Sequence, residues 1–188
     1  MIWAIQNGIR IIATPKQRAI CPLCLHGVIS KCGKIKMNHW AHKLGEECDS
    51  FKEPETFWHI NWKSHFPKEF QEVVIGEHRA DIRTKERLII EFQNSPLSPE
   101  EILERENYYK KMVWVLNGET IGKNICYLKQ RFRWRWFPKS WGFSNKQIYM
   151  DEGENLFKLD LLEKKFQKIS KTAFIIENGG NPFKNGRQ

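Results

Sequence analysis

The sequence predicts an α+β protein, with a small metal-stabilised segment before its core and a β-rich extension after it. Cys and His residues cluster between residues 21 and 48, helical and β-rich segments alternate between residues 55 and 118, and aromatic residues alternate with arginines from residue 131. From these observations we divide the chain into an N-terminal hairpin and metal-binding segment (1–50), a core (51–125) and an aromatic, basic extension (126–188).

The charge balance favours an anionic partner. The 188 residues include 31 Lys and Arg against 22 Asp and Glu, which gives a formal net charge of +9. A positive surface attracts nucleic acid before other partners, although positive charge also serves solubility.

The sequence also predicts a cytoplasmic protein that has no membrane partner. No apolar run is long enough to span a bilayer, and residues 1–16 lack the basic and apolar regions of a secretory signal. The five Cys are odd in number and four of them precede residue 50, which argues against a disulfide framework. A reducing compartment is therefore expected.

The N-terminal segment predicts a hairpin followed by a structural zinc site. The β-rich runs of WAIQNGIRIIA flank an Asn-Gly turn. Cys21 and Cys24 then have the Cys-x-x-Cys spacing that lets two thiolates bind one tetrahedral ion, and His42 and Cys48 complete a set of four. His39 is an alternative to His42 or Cys48, and free thiols with solvent-facing histidines are the alternative to a metal site.

The core is predicted to contain two helices and several strands. ETFWHINWKSHF, residues 55–66, has a helical pattern, and SPEEILERENYYKK begins with Ser98 as N-cap, Pro99 at the first helical position and Glu101 completing a capping box. Strands are predicted in EVVIGEHRADIR, RLIIEFQ and MVWVLNG. The resulting order is helix, strands joined by tight turns, helix, strand.

Polar residues within the predicted strands indicate a second metal site. Because side chains alternate along a strand, Glu91 and Gln93 share one face of LIIEFQ, and a hairpin brings Asp81 close to Glu91. Carboxylates of this kind suit magnesium or manganese, and a buried carboxylate needs such a partner. The alternative is that Asp81 is a turn residue and that Glu91 pairs with Arg79 or Arg87.

Three polar residues on the first predicted helix are candidates for the same site. Glu55, His59 and Lys63 recur every fourth residue, so one face of a helix carries all three. For phosphodiester hydrolysis, two carboxylates hold the metal and a further polar group orients water or stabilises charge. In many enzymes of this kind a lysine does so; here Gln93 occupies its place, and Lys63 is the candidate for the missing positive charge. A solvated helix face is the alternative.

These segments resemble the competence protein CoiA-like family. The resemblance is carried, between about residues 2 and 117, by CPLC, KMNHWAHK, the Glu-x-x-x-His-x-x-x-Lys segment, RADI, IIEFQNS, LSPEEILERENYY and WVLNG. That family lies in the PD-(D/E)XK nuclease superfamily. The resemblance therefore implies a restriction-endonuclease-like αβββαβ core in residues 51–125, preceded by a zinc-finger-like segment in residues 1–50.

The resemblance also implies roles for particular residues. Asp81, Glu91 and Gln93 match the Asp and Glu-x-Lys positions of the superfamily, and Glu55 matches its helix acid. Gln93 departs from the superfamily lysine, and CoiA-like proteins are similar in having Gln there. Arg105 and Tyr109 resemble family positions that face the substrate phosphate or brace the site; packing against the sheet is the alternative.

The aromatic tail predicts a strand that contributes to DNA binding. In RFRWRW, Phe132, Trp134 and Trp136 share one face, which we assign to the core, and Arg131, Arg133 and Arg135 share the other, which we assign to DNA phosphates. A second hairpin is predicted around DEGEN.

The leading hypothesis is a magnesium- or manganese-dependent DNA endonuclease or DNA-processing nuclease. Single-stranded and double-stranded DNA are both candidate substrates, and the family association implies natural transformation, recombination, mobile elements or defence. The alternative is a non-catalytic DNA-binding accessory protein of recombination that retains the nuclease fold.

Overall fold

The computed structural model describes residues 1–33, 38–43, 48–51, 53–135 and 138–183. These residues form an N-terminal sheet, a large mixed sheet and three α-helices, which is the predicted α+β class. The strands of the N-terminal sheet are β1 Trp3–Gln6, β2 Ile9–Ile12, β3 Arg18–Ile20, β4 Gly27–Lys31 and β5 His39–Ala41. The strands of the large sheet are β6 Gln71–Ile75, β7 His78–Arg83, β8 Ile89–Gln93, β9 Met112–Asn117, β10 Ile125–Leu128, β11 Arg131–Trp134, β12 Gln147–Glu152, β13 Asn155–Asp160 and β14 Lys165–Ser170. The helices are α1 Phe57–Ser64, α2 Pro99–Tyr109 and α3 Lys171–Glu177.

Among the described residues, no helix has the length and apolar character needed to cross a membrane.

The N-terminal sheet has the strand order β2-β1-β3-β4-β5 and contains the predicted hairpin. Asn7 and Gly8 join β1 to β2 with φ angles of 51° and 76°, the left-handed conformation that an Asn-Gly hairpin turn requires. The core under this sheet is small and centres on Ala4, Val28 and Trp40. So little buried apolar surface favours stabilisation by a metal.

The large sheet has the order β10-β11-β14-β13-β12-β9-β8-β7-β6. Strands β6, β7 and β8 are antiparallel, and β9 lies parallel between β8 and β12. From α1 to β9 the chain follows the predicted order of helix, strands, helix, strand. The C-terminal extension continues this same sheet, so the boundary predicted after residue 125 falls within β10.

Successive residues of strand β9 contribute to two cores on opposite faces of the large sheet. Trp114 and Leu116 pack with Ile102 of α2 on one face. Val115 packs on the other face with residues of α1 and α3, including Trp62 and Phe174. Burial on both faces explains the continuous apolar run of β9.

Helix α1 is shorter than predicted. It begins at Phe57, because the Thr56 hydroxyl accepts the N–H of His59 and the His59 ring accepts the N–H of Thr56. Glu55 therefore lies just before the helix rather than on it, which corrects the expectation that Glu55, His59 and Lys63 share one helical face. Helix α2 confirms the prediction: Ser98 caps it, and Glu101 completes the capping box.

Asp151 fixes α1 to the C-terminal half of the sheet. This buried carboxylate on β12 accepts the indole N–H groups of Trp58 and Trp62, each at 2.7 Å, and pairs with Lys171 at 3.0 Å. The β12–β13 connection around Gly153 is the predicted second hairpin. The position of α1, which carries Lys63, thus depends on residues far along the chain.

Candidate zinc centre and acidic cavity

Four of the predicted zinc ligands lie together at the N-terminal sheet. Potential ligand atoms of Cys21, Cys24, His42 and Cys48 are all within 4.8 Å of one another. The Cys21 and Cys48 sulfurs are 3.8 Å apart, and His42 Nε2 lies 3.2 Å from the Cys24 sulfur and 3.6 Å from the Cys48 sulfur. Zn–S distances of about 2.3 Å place the sulfurs of a tetrahedral site about 3.8 Å apart, so the donor set and its spacing fit zinc. His39 is not part of this group in the described residues.

Local backbone bonds shape the Cys-x-x-Cys turn. The Cys21 N–H donates to the His26 carbonyl at 2.8 Å, and the Leu25 N–H donates to the Cys21 carbonyl at 3.0 Å. Leu25 has a φ of 61°, which reverses the chain so that both thiols face one point. The Leu23 N–H also points at the Cys21 sulfur, at 3.4 Å, as expected for a thiolate ligand.

Asp81 and Glu91 meet where β7 and β8 stop pairing. The register runs from Arg83↔Ile89 to Ile82↔Ile90 and ends there. Beyond it, the Asp81 N–H donates to Glu91 Oε1 at 3.0 Å, and the Phe92 N–H donates to Asp81 Oδ2 at 2.9 Å. Each carboxylate therefore replaces a missing strand-to-strand bond, and each keeps one oxygen for another partner.

Lys63 occupies the space between the acids. Its Nζ lies 2.5 Å from Glu55, 2.7 Å from Asp81 and 3.4 Å from Glu72, and the residue is only 1% exposed. Burial acts to lower the pKa of Lys63, but Asp81, Glu55 and Glu72 outweigh it and raise that pKa well above its usual value. Lys63 is therefore a buried cation. Among the described residues, Glu55, Asp81 and Glu91 do not bring three ligand atoms within 4.8 Å of one another, which corrects the expectation that they converge directly.

Fewer positive charges lie close to the Glu91 carboxylate than to that of Asp81. Burial and the charge of Asp81 raise the pKa of Glu91 to about 8. Its nearest cation is Arg105, with Nη1 3.9 Å from Oε2, and not Arg79 or Arg87 as the alternative interpretation required. For Asp81, burial acts to raise the pKa, but Lys63 and His59 lower it. Two neighbouring carboxyl groups thus differ in their readiness to ionise.

Arg105 and Tyr109 lie on the face of α2 that covers the sheet. Both are buried, at 4% and 8% exposure, and the Arg105 Nε and the Tyr109 hydroxyl have no hydrogen-bond partner among the described residues. Glu55 Oε2 is likewise buried without such a partner. Buried polar atoms normally have partners, so these atoms favour a site that binds water, an ion or a phosphate group.

His59 and Gln93 are both buried and contact backbone carbonyls near the end of β8. His59 Nε2 contacts Glu53 at 3.0 Å and the Phe92 carbonyl at 3.2 Å, so the ring braces α1 against β8. Burial acts to lower the pKa of His59, and Glu53 and Asp81 raise it overall. Gln93 is 1% exposed and donates to the Ser95 carbonyl at 2.8 Å, while its Oε1 has no partner among the described residues.

These groups surround one small cavity. Its volume is about 60 Å³, and its lining includes the pair Asp81 and Glu91 together with the cations Lys63 and Arg105. One water requires roughly 10–15 Å³ of such space, so the cavity has room for several waters or a partly hydrated ion. Mixed charge around a small polar space suits binding of a cation and a phosphate oxygen side by side.

The three tail arginines that the sequence assigns to DNA phosphates lie far from this cavity. Arg131, Arg133 and Arg135 are exposed, whereas Phe132 is buried and Trp134 half-buried. Trp136 lies outside the described residues. Strand β11 is five strand-to-strand steps from β8, roughly 24 Å at about 4.8 Å a step. These arginines therefore do not contact the acids.

The sequence did not single out three acids, of which Asp49 and Glu53 line the cavity and Glu72 lies behind Lys63. Glu72, Glu53 and Asp49 are partners of Lys63, His59 and His78, respectively. Glu72 also accepts the N–H groups of Ile2 and Trp3, 69 or more residues away along the chain. No local pattern marks such acids, because long-range packing determines their surroundings.

The charge of Glu72 predicts an acid-sensitive contribution to stability. Burial acts to raise the pKa of Glu72, but Lys63 and other nearby positive charges lower it to about 2 from 4.5. The ionised form thus stabilises the fold by about 3 kcal/mol above pH 5.5, and this contribution is lost as the pH falls towards 2. We expect the stability gap between wild type and Glu72→Gln, measured by urea unfolding, to narrow over that range. The exposed Glu69→Gln is the control, and a gap that does not vary with pH would contradict the assignment.

Two family models match the chain, one over the zinc centre and one over the strands that carry Asp81 and Glu91. The model of the competence protein CoiA N-terminal domain matches residues 8–51, and that of the CoiA nuclease-like domain matches residues 68–178. The chain belongs to the competence protein CoiA family. No curated protein and no solved structure gives a significant match. The CoiA N-terminal match contains the whole Cys/His group, and the CoiA nuclease-like match contains Asp81, Glu91 and Arg105. Lys63 lies between the two matched segments.

Proposed function

We propose that this CoiA family member is a divalent-metal-dependent nuclease that hydrolyses phosphodiester bonds in DNA, on a restriction-endonuclease-like αβββαβ core. The observation that carries the proposal is the meeting of Asp81 and Glu91 where β7 and β8 separate, beside Lys63 and Arg105 in one cavity. Competence, recombination, mobile elements or defence are the proposed settings, and the cytoplasm is the proposed location.

The residues of the cavity fit a magnesium or manganese ion. Magnesium is commonly bound by one or two carboxylates and completes its shell with waters and substrate phosphates. Among the described residues, Glu91 Oε2 has only Arg105 near it, at 3.9 Å, whereas Asp81 Oδ1 pairs with Lys63 at 2.7 Å and would share that oxygen with the ion. When bound, such an ion polarises the scissile phosphate and lowers the pKa of a water. Asp81 and Glu91 would hold it.

The remaining candidate residues would balance charge and position the substrate. Lys63 and Arg105 line the cavity: Lys63 balances Asp81 and Glu55 and supplies the cation that the superfamily lysine provides, and Arg105 offers an unpartnered Nε to a phosphate oxygen. Gln93 and Tyr109 do not line it in this structure; Gln93 is the proposed aid to water orientation, and Tyr109 has an unpartnered hydroxyl. Glu55 and His59 orient Lys63 and β8, respectively.

A cleavage assay tests the proposal. Purified protein is incubated with plasmid DNA and with linear single-stranded DNA, in magnesium, in manganese and in chelator. We expect cutting that requires the metal and falls at least about 100-fold in Asp81→Asn and in Glu91→Gln, because each replaces a carboxyl group that would hold the metal. Glu86→Gln, which neutralises an exposed acid in the turn between β7 and β8, is the matched control. Cutting that survives both site substitutions would contradict the assignment.

A second function is favoured by the ion pairs of Lys63. Lys63 already neutralises Asp81, and Gln93 stands where the superfamily has lysine, so the same fold also suits a non-catalytic DNA-binding accessory protein of recombination. That function predicts DNA binding in the assay above without cutting in any metal.

DNA binding by the tail has a test of its own. Arg131 and Lys165 lie directly opposite each other on β11 and β14, and like charges in such a pair are unfavourable unless an anion joins them. We expect the double substitution Arg131→Ala/Arg133→Ala to reduce the slope of log affinity against log salt by about 2, because each phosphate contact contributes about 0.9 on duplex DNA.

A matched double substitution controls for the loss of charge. Lys123→Ala/Lys168→Ala removes two exposed lysines, of which Lys168 projects from the opposite face of β14. Equal slopes for the two double variants would refute a specific contact by Arg131 and Arg133.

A further inference from the structure

A short connecting segment, residues 48–51 and 53–55, links the zinc centre to α1. Its first residue, Cys48, belongs to the Cys/His group. Alternate residues of the segment, starting with the next one, line the candidate active cavity, namely Asp49, Phe51, Glu53 and Glu55. The segment is therefore one wall of the cavity and is attached at its start to the zinc site.

Asp49 joins this wall to the nuclease-like domain. Its carboxylate is 4% exposed, accepts the N–H groups of Phe51 and Arg79 at 3.1 Å each, and lies 3.0 Å from His78 Nδ1. A buried carboxylate with three such partners fixes the chain on both sides of it. Asp49, which directly follows the zinc-site residue Cys48, thus attaches the segment to the beginning of β7, the strand that carries Asp81.

Phe51 connects the same segment to helix α2, which carries Arg105. Its ring stacks on His78, with centroids 3.4 Å apart, and meets Tyr109 edge-on at 6.0 Å. The Arg105 guanidinium lies over the same ring, with its carbon 5.2 Å from the centroid. Since the nearest acid is 3.9 Å away and the Nε has no partner among the described residues, packing on Phe51 is a main determinant of where Arg105 points.

We propose that the zinc centre fixes one wall of the candidate active site through Asp49 and Phe51, which are positioning residues for Arg105. The part of the inference that concerns DNA rests on the proposed function. In this arrangement the zinc ion does more than stabilise a small N-terminal sheet. Its loss frees Cys48, and with it the segment against which Arg105 packs.

Hydrogen exchange tests the structural part without any cleavage. The amides of Phe51 and Arg79 donate to Asp49, so they report directly on the wall. In zinc-loaded protein we expect both to be protected. In zinc-stripped protein and in Asp49→Ala, which retains all four zinc-site residues, we expect exchange at least about tenfold faster at these amides. Ser50→Ala, an exposed neighbour in the same segment, should exchange like wild type.

Two outcomes would overturn this part. One is unchanged protection of the two amides after zinc removal, with zinc loss verified by metal analysis. The other is unchanged protection in Asp49→Ala. If zinc removal instead unfolds the whole chain, strands β8 and β9 also lose protection. The Asp49→Ala variant with its zinc in place then decides whether Asp49 holds the segment against the cavity.

A double-mutant cycle tests the positioning of Arg105. A short DNA duplex is the probe, and its affinity is measured without magnesium or manganese so that nothing is cut. We expect Phe51→Ala to weaken binding about five- to tenfold and Arg105→Ala at least as much, because a buried cation–π contact has about this magnitude. The double variant should bind no more weakly than Arg105→Ala alone. Additive losses, or wild-type affinity in Phe51→Ala, would overturn the positioning role.

The two proposals fail in distinguishable ways. If no metal supports cutting, the nuclease assignment fails, while hydrogen exchange and the binding cycle still decide whether zinc positions Arg105. If cutting depends on Asp81 and Glu91 but the two reporter amides ignore zinc, the nuclease assignment stands and the coupling is wrong.

Discussion

Replacing Lys63 by methionine is expected to lower the free energy of unfolding by about 3–5 kcal/mol, because breaking a buried ion pair leaves uncompensated charge. Lys63 is 1% exposed and contacts Glu55, Glu72 and Asp81, so the substitution leaves three carboxylates without their shared cation. Methionine has nearly the same length, which separates the loss of charge from the loss of volume. Urea unfolding followed by tryptophan fluorescence measures the change.

The control for this experiment is Lys85→Met, at an exposed position in the turn between β7 and β8. It should change stability by less than about 0.5 kcal/mol. Adding Glu55→Gln to Lys63→Met should recover part of the loss, because it removes one of the repelling charges. A Lys63→Met protein as stable as the control would show that Lys63 is not the cation that holds these acids together.

Substituting Cys21 by serine is expected to abolish zinc binding and to unfold the N-terminal sheet. Zinc binding contributes about 10 kcal/mol or more to the folding of small zinc-dependent segments, and the core here consists largely of small side chains around Trp40. Metal analysis should find about one zinc per wild-type chain and none in Cys21→Ser. Proteolysis should then cleave within residues 1–48 while sparing the large sheet.

Cys32→Ser is the matched control for the zinc experiment. Cys32 is half-buried against the same small core but lies outside the group of four ligands. We expect this variant to keep its zinc and its resistance to protease. Full zinc content in Cys21→Ser, or none in wild type purified without chelator, would rule out the assigned zinc centre.

Local patterns predicted helix α2, most strands of the core and the residues of the Cys/His group. The capping box at Ser98 located α2 because its bonds form within four residues. Alternation in β8 predicted that Glu91 and Gln93 share a face, and in the structure Glu91 faces Arg105 of α2. The Cys and His spacings likewise identified a group that the structure brings together. In each instance the information lies within a few dozen residues of sequence.

The balance of charges in the cavity could not be predicted in the same way. Glu72 has a φ of 47° at the beginning of a strand and contacts both β1 and Lys63, an arrangement that depends on how two sheets pack. The sequence suggested Lys63 as an aid to catalysis, but only the structure shows it among three carboxylates. Contacts between distant segments determine such environments, and a single sequence does not record them.

The position of β9 inside the sheet has a consequence for truncated forms of the protein. Because β12 hydrogen-bonds along one side of this central strand and Asp151 anchors the indoles of α1, a fragment ending near residue 125 would present a bare, apolar sheet margin and a loosened first helix. We therefore expect the part that bears the acids to need the C-terminal strands in order to fold.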